Sequence, residues 1–145
     1  MRRLGLALVF AIVAVPAFGT TASAAGGQSF STDLVGAQEV PGPADPDGLG
    51  HAVITINRGL GEVCWWIDVE GITLPATAAH IHPGVAGVAG APIVTLSAPD
   101  ASGTASGCTT VDRDLAKTIA KDPASYYVNV HNADFPAGAL RGQLG

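Results

Sequence analysis

The stretch that decides the fold reads GHAVITIN (residues 50–57), RGLG (58–61) and EVCWWIDVE (62–70). Apolar and polar residues alternate along both arms, as they do in a β-strand whose side chains point to opposite faces in turn. The four residues between the arms have the composition of a tight turn. The stretch therefore predicts an antiparallel hairpin. The strongest apolar face of the chain lies on its second arm and consists of Val63, Trp65, Ile67 and Val69.

The rest of the chain extends this hairpin into a larger sheet. One segment, residues 112–120, has a helical pattern, with Thr110 or Asp112 as a candidate N-cap and Pro123 after its end. Eight short strands and one short helix predict an all-β fold, an antiparallel Greek-key-like β-sandwich or barrel. The six further strand segments are residues 28–34, 77–82, 93–96, 103–109, 126–131 and 139–144.

The N-terminus has the pattern of a cleaved signal peptide at residues 1–24. Arg2 and Arg3 are followed by an apolar run, and Ala22-Ser23-Ala24 has the small-x-small form of a cleavage site. The run is shorter than the ~20 apolar residues of a membrane span, so a retained anchor is the less favoured alternative. Residues 25–145 are predicted to be a single secreted domain without a membrane span.

The predicted mature chain is acidic. Without Arg2 and Arg3, five Lys and Arg stand against twelve Asp and Glu, a net charge of −7. Nucleic-acid binding requires a basic stripe, and the five basic residues are scattered, so nucleic acid is excluded as a partner. An acidic surface favours cationic partners over anionic membranes.

Two cysteines, Cys64 and Cys108, form an even pair in a chain predicted to be exported, so a disulfide is expected. Closing that loop stabilises the fold by about 4 kcal/mol in the chain-entropy model. The pair has no C-x-x-C spacing and gives little support for a zinc or redox site.

Histidines cluster on two of the predicted strands. Alternation places His80 and His82 on one face of the first strand, and His131 on the same face as Asn129 on the second. Because the aliphatic residues occupy the opposite faces, these histidines lie on the non-core side. Three imidazoles with an open position suit zinc or copper, so His80, His82 and His131 are candidate metal ligands.

Two further residues accompany this candidate site. Asn129 and Arg141 share the non-core phase and are expected to stand behind the metal ligands, with Asp134 and Glu39 as candidate ion-pair partners of Arg141. The alternative is structural: the histidines hydrogen-bond loop backbone and fix the strand ends. His51, isolated at a strand start, is expected to be a surface residue.

Several separate motifs resemble the chordin-type (CHRD) domain, and the resemblance runs from about Phe30 to Leu144. The domain occurs in the animal morphogen antagonist chordin and in many secreted bacterial proteins. The resemblance implies a secreted β-module, but the family brings no established bacterial activity to transfer. The motifs are LVGAQEVP (34–41), TAAHIHPG (77–84), YVNVH (127–131) and PAGALRGQL (136–144).

Two functional hypotheses follow. The first is an exported, non-enzymatic module that binds an unknown protein or cell-surface ligand, as the resemblance implies. The second is an extracytoplasmic protein that binds copper or zinc through the three histidines. A metal-dependent oxidoreductase is a distant third, because a copper/zinc superoxide dismutase site needs more histidines than this chain offers.

Other activities find little support in the sequence. No serine has the G-x-S-x-G context of a hydrolase, and no catalytic residues are predicted. Alternation leaves Trp66 as a single exposed ring, which alone does not indicate a carbohydrate-binding site.

Overall fold

The computed structural model describes residues 26–145, so the predicted signal peptide at residues 1–24 lies outside the described residues. Within this range there are eight strands, one α-helix and two short 3-10 helices, at Gly36–Gln38 and Pro123–Ser125. The strands are β1 (Gln28–Val35), β2 (Leu49–Asn57), β3 (Glu62–Glu70), β4 (Ala78–Pro83), β5 (Val94–Leu96), β6 (Thr104–Thr110), β7 (Tyr126–His131) and β8 (Leu140–Gln143); the helix is α1 (Arg113–Lys121).

All eight strands join one antiparallel sheet in the order β5-β4-β7-β8-β1-β2-β3-β6. The sheet curls into a nearly closed barrel, so that its first and last strands approach each other. Ser97, directly after β5, donates a hydrogen bond to the carbonyl oxygen of Ser106 on β6 at 3.3 Å and accepts one from the Trp65 indole N–H at 2.9 Å. The predicted all-β antiparallel fold with one helix is confirmed.

The β2–β3 hairpin is paired over its full length, from Leu49 opposite Glu70 to Asn57 opposite Glu62. Its inward side chains fill the barrel interior and are buried. The predicted core face of the second arm is confirmed. These inward residues are Ala52, Ile54, Ile56, Val63, Trp65, Ile67 and Val69.

Trp65 occupies its space because the residue opposite it on β6 is glycine. Gly107 is its register partner, and a Cβ atom at this position would lie 2.7 Å from the indole ring. On the outer face of the same strand pair, Cys64 and Cys108 are also register partners and form a disulfide.

Helix α1 packs against β2 and β3 through buried Ala116, Ile119 and Ala120. Asp112 is its N-cap, because the carboxylate accepts hydrogen bonds from the backbone N–H groups of Asp114 and Leu115. In the described part of the chain, no helix has the length and hydrophobicity that crossing a bilayer requires.

We expect Trp65→Ala to lower the free energy of unfolding by about 3–5 kcal/mol, because it empties the part of the core that the indole ring fills over Gly107. Trp66→Ala is the matched control: its ring is 47% exposed, and an ordinary surface change costs within about 0.5 kcal/mol. Urea unfolding of both variants beside the wild-type protein checks this. Equal losses in the two variants would contradict the orientation of β3.

Candidate metal centre

The candidate site lies on the outer face of three neighbouring strands, β4, β7 and β8. In the register, His80 is opposite Asn129, and Asn129 is opposite Arg141 on the next strand. His131 is opposite Ala78 at the end of the same ladder. The inward neighbours of these residues, including Ile81, are part of the hydrophobic core. The three histidines therefore lie on the outer, non-core face of their strands, as the alternation predicts.

This outer face is covered by residues 84–92, here called the covering loop. Its backbone carbonyl groups accept hydrogen bonds from the face beneath: Gly90 from His82 at 2.8 Å, and Val85 and Val88 from Arg141 at 3.0 and 3.1 Å. As a result His82 is only 6% exposed and Arg141 only 1%. Alternation alone identifies the face but does not show that a loop buries it.

The three histidines converge. One ring nitrogen from each of His80, His82 and His131 lies within 4.8 Å of the other two, and Nδ1 of His80 is 3.1 Å from Nε2 of His131. Ligand nitrogens of a tetrahedral zinc site stand roughly 3.3 Å apart, since each lies about 2.0–2.1 Å from the metal. The His80–His131 separation is close to this value, and the other two separations lie within 4.8 Å.

Two backbone carbonyl groups fix which nitrogens are free to bind. Nδ1 of His82 faces the carbonyl oxygen of Gly90, and Nδ1 of His131 faces that of Pro136 at 3.1 Å. A carbonyl oxygen only accepts, so each Nδ1 must carry a hydrogen, which leaves Nε2 as the lone-pair atom of the neutral ring. Metal-bound histidines are commonly oriented by such a contact.

Asn129 lies in the middle of this arrangement and is 2% exposed. Its Oδ1 atom is 2.9 Å from Nε2 of His82. Nδ1 of the His82 ring already carries a hydrogen, so in the neutral ring Nε2 is an acceptor, and it faces a second acceptor, Oδ1 of Asn129. This contact is favourable if a second proton or a metal ion joins the two atoms, or if the Asn129 amide is rotated so that its nitrogen faces the ring.

Glu39, predicted from the sequence only as an ion-pair partner of Arg141, is a buried residue of this region. Its Oε1 atom accepts from the backbone N–H of Val40, whereas its buried Oε2 atom has no hydrogen-bond partner within residues 26–145. Burial raises the pKa of the Glu39 carboxyl, and the Val40 N–H, Arg141 and Asn129 partly oppose the rise. Nothing in the sequence pattern signals this burial, because Glu39 follows a 3-10 helix in a loop.

Burial sets the electrostatics of the imidazoles. It lowers the pKa of His80, and the neighbouring His131 and His82 lower it further, against a weaker opposing effect of Asn129. Burial also lowers the pKa of His131, with a smaller contribution from His82 against the hydrogen bond to Pro136. Both rings are therefore neutral at neutral pH, which is the form that binds metal ions.

Arg141 does not form the ion pairs predicted for it. Among the described residues neither Asp134 nor Glu39 makes a salt bridge with it, and Asp134 accepts a hydrogen bond from Thr73 instead. The guanidinium carbon lies 3.4 Å from the centre of the Tyr127 ring, which also stacks on His82 at 4.8 Å. Its charge is balanced by loop carbonyl groups and an aromatic face.

The family model of the CHRD domain matches residues 30–144. The chain belongs to the CHRD family. This confirms the resemblance, and the matched range includes every residue of the histidine cluster. A CHRD domain is a module of the binding type, and the disulfide of this one is compatible with an extracellular location. Comparison with curated proteins and with solved structures finds no match.

We expect the metal-free CHRD domain to lose stability as the pH falls below about 6.5, the ordinary pKa of histidine. The pKa values of His80 and His131 are lowered in the folded state, so the unfolded chain takes up protons first and unfolding is favoured. Above that pH the two states bind equal numbers of these protons and the effect disappears.

Urea unfolding between pH 8 and pH 5 checks this, with a double variant, His80→Asn and His131→Asn, as the reference. Both proteins keep Glu39, whose raised pKa stabilises the folded state as the pH falls, opposite to the effect of the histidines. The difference between the two proteins in how the free energy of unfolding changes with pH therefore isolates the two histidines. Identical slopes would show that these rings are not the cause.

Proposed function

We propose that this CHRD domain is an exported, non-enzymatic binding module whose histidine cluster binds one transition-metal ion, zinc or copper. The observation that supports this most is the convergence of three imidazole nitrogens within 4.8 Å. Two of the rings, His82 and His131, are held with Nε2 free by backbone carbonyl groups. Imidazole nitrogen suits both metals.

Asn129 supplies the fourth position of the proposed site. Its Oδ1 atom already lies 2.9 Å from Nε2 of His82, a spacing that two ligands of one ion can keep. A metal ion between these two acceptors replaces the proton that the contact otherwise requires. We assign the orientation of this amide to Glu39, whose buried Oε2 atom has no hydrogen-bond partner within residues 26–145 and can accept from the amide nitrogen.

The structural role of the histidines is compatible with this proposal and applies most to His82. That ring bonds the covering loop, stacks on Tyr127 and is nearly fully buried. Removing it leaves the Gly90 carbonyl oxygen with only the longer hydrogen bond from the Tyr127 hydroxyl at 3.5 Å, at a cost of about 0.5–1.5 kcal/mol for the bond lost. His80 and His131 are only partly buried, so they are the positions at which metal binding is tested without loss of the fold.

The wider role of the domain is proposed to be the binding of a protein or cell-surface ligand outside the cytoplasm. Membership in a family of binding-type modules supports this, together with a disulfide and the signal-like N-terminus. An oxidoreductase built on the same metal requires redox turnover, which an assay of the copper-loaded domain measures directly.

We expect the metal-free domain to bind Zn²⁺ or Cu²⁺ with a one-to-one stoichiometry in isothermal titration calorimetry. The double variant His80→Ala and His131→Ala loses two of the three histidine ligands. Altering a residue that only supports a ligand lowers metal affinity by up to about 100-fold, so we expect the loss of two ligands to lower it by more than that. His51→Ala is the matched control, because His51 bonds Asp33 on β1 outside the cluster and should bind like the wild type. Unchanged affinity in the double variant, or no binding by the folded wild type, would leave the histidines with a structural role only.

The place of Asn129 is tested separately with Asn129→Ala. We expect the stoichiometry to stay one to one while the affinity falls by about 10–100-fold. Circular dichroism of the metal-free variant checks that the fold persists. Wild-type affinity in a folded variant would remove Asn129 from the site.

A further inference from the structure

A second surface stands apart from the histidine cluster, along β3 and β6 and the segment that follows β5. Here a groove of about 320 Å³ is walled by the indole of Trp66, and Ser97, Asp100, Thr104 and Ser106 supply most of its remaining lining. Its volume is at the lower end of the roughly 300–1,000 Å³ of small-molecule sites. We call this the Trp66 groove.

Trp66 lines two depressions. A second one, of about 190 Å³, lies against it on β2 and β3 and includes Val53, Thr55 and Cys64. The ring itself is 47% exposed, one of few large apolar side chains in the described chain that reach the solvent. It therefore offers a solvent-accessible aromatic face that borders both depressions.

The hydrogen-bonding groups of the groove are only partly used. The Ser97 hydroxyl is occupied by Trp65 and by the Ser106 carbonyl oxygen. The Ser106 hydroxyl and the Trp66 indole N–H have no hydrogen-bond partner within residues 26–145. Asp100 uses Oδ1 to accept from Ser102, which leaves Oδ2 available. The groove thus holds two free donors and a free carboxylate oxygen.

The chemistry of this lining selects a ligand class. Neither depression is lined by Lys or Arg, and one carboxylate is present, so phosphates and acidic sugars are disfavoured. The polar side chains outnumber the apolar ones in the groove, which does not suit an apolar peptide. A pyranose ring combines both requirements: its C–H face packs on an aromatic face, which carries partial negative charge, and its hydroxyls both donate and accept.

We propose that the Trp66 groove binds a neutral saccharide, with one pyranose ring stacked on Trp66. Sugar hydroxyls donate to Oδ2 of Asp100 and accept from the Ser106 hydroxyl. The second depression receives the next sugar of a linear chain. This inference does not depend on the metal site, because the two surfaces share no residue.

The test is a titration of the ¹⁵N-labelled domain with cellohexaose, maltohexaose and the hexamer of N-acetylglucosamine, followed by NMR. We expect at least one of them to shift the Trp66 indole N–H resonance saturably, with a Kd of about 1 mM, as the free energy per ligand atom implies for one stacked hexose. The backbone N–H resonances of β4 and β7, which contribute no residue to either depression, are the internal reference and should shift far less.

Variants decide whether the ring is responsible. Trp66→Ala should weaken binding at least tenfold, and Trp66→Phe should keep part of it, because a smaller aromatic face remains. Ser106→Ala should weaken it several-fold, and the double variant His80→Ala and His131→Ala should bind like the wild type. The absence of any saturable shift, or binding that survives Trp66→Ala, would overturn the proposal. Since Trp66 is a surface residue, backbone resonances show directly that this variant remains folded.

Discussion

The register of the barrel depends on one constraint, the filling of its interior by alternate residues of every strand. Trp65 over Gly107 is a close part of that packing, since the indole ring leaves no room for a methyl group at position 107. A slip of one residue in β4 or β7 would turn His80 and Asn129 inward and Ile81 outward. The interior, on the opposite face of the same strands, therefore decides which side chains the two proposed binding surfaces contain.

Period-two alternation explains why much of the fold and the face of the candidate site were predictable. It placed Val63, Ile67 and the three histidine positions on the correct sides, and composition identified the Asp112 region as a helix start. Alternation could not predict which loop packs over the outer face of a strand. The burial of Arg141 follows from the path of the covering loop, whose carbonyl groups replace the ion pairs expected from charge alone.

The same contacts serve both interpretations of the histidine cluster. A carbonyl oxygen that holds Nδ1 of His82 or His131 fixes a loop, and it also leaves Nε2 in the form that coordinates a metal. Structural and ligand roles are therefore not exclusive here. They are divided by burial: His82 is the most deeply built into the fold, whereas His80 and His131 remain closer to solvent.

The near closure of the sheet also bears on self-association. A sheet ends in two strands with unpaired backbone groups, which can recruit a strand from another chain and start aggregation. In this chain those two strands, β5 and β6, face one another, and β5 is only three residues long. Ser97 and the turn at Asp100 lie between the two strands. The Ser97 hydroxyl donates to the Ser106 carbonyl oxygen, and the backbone N–H of Asp100 donates to the Thr104 carbonyl oxygen. Ser97 and this turn thus cover part of the open backbone at the seam between the two terminal strands of the described sheet.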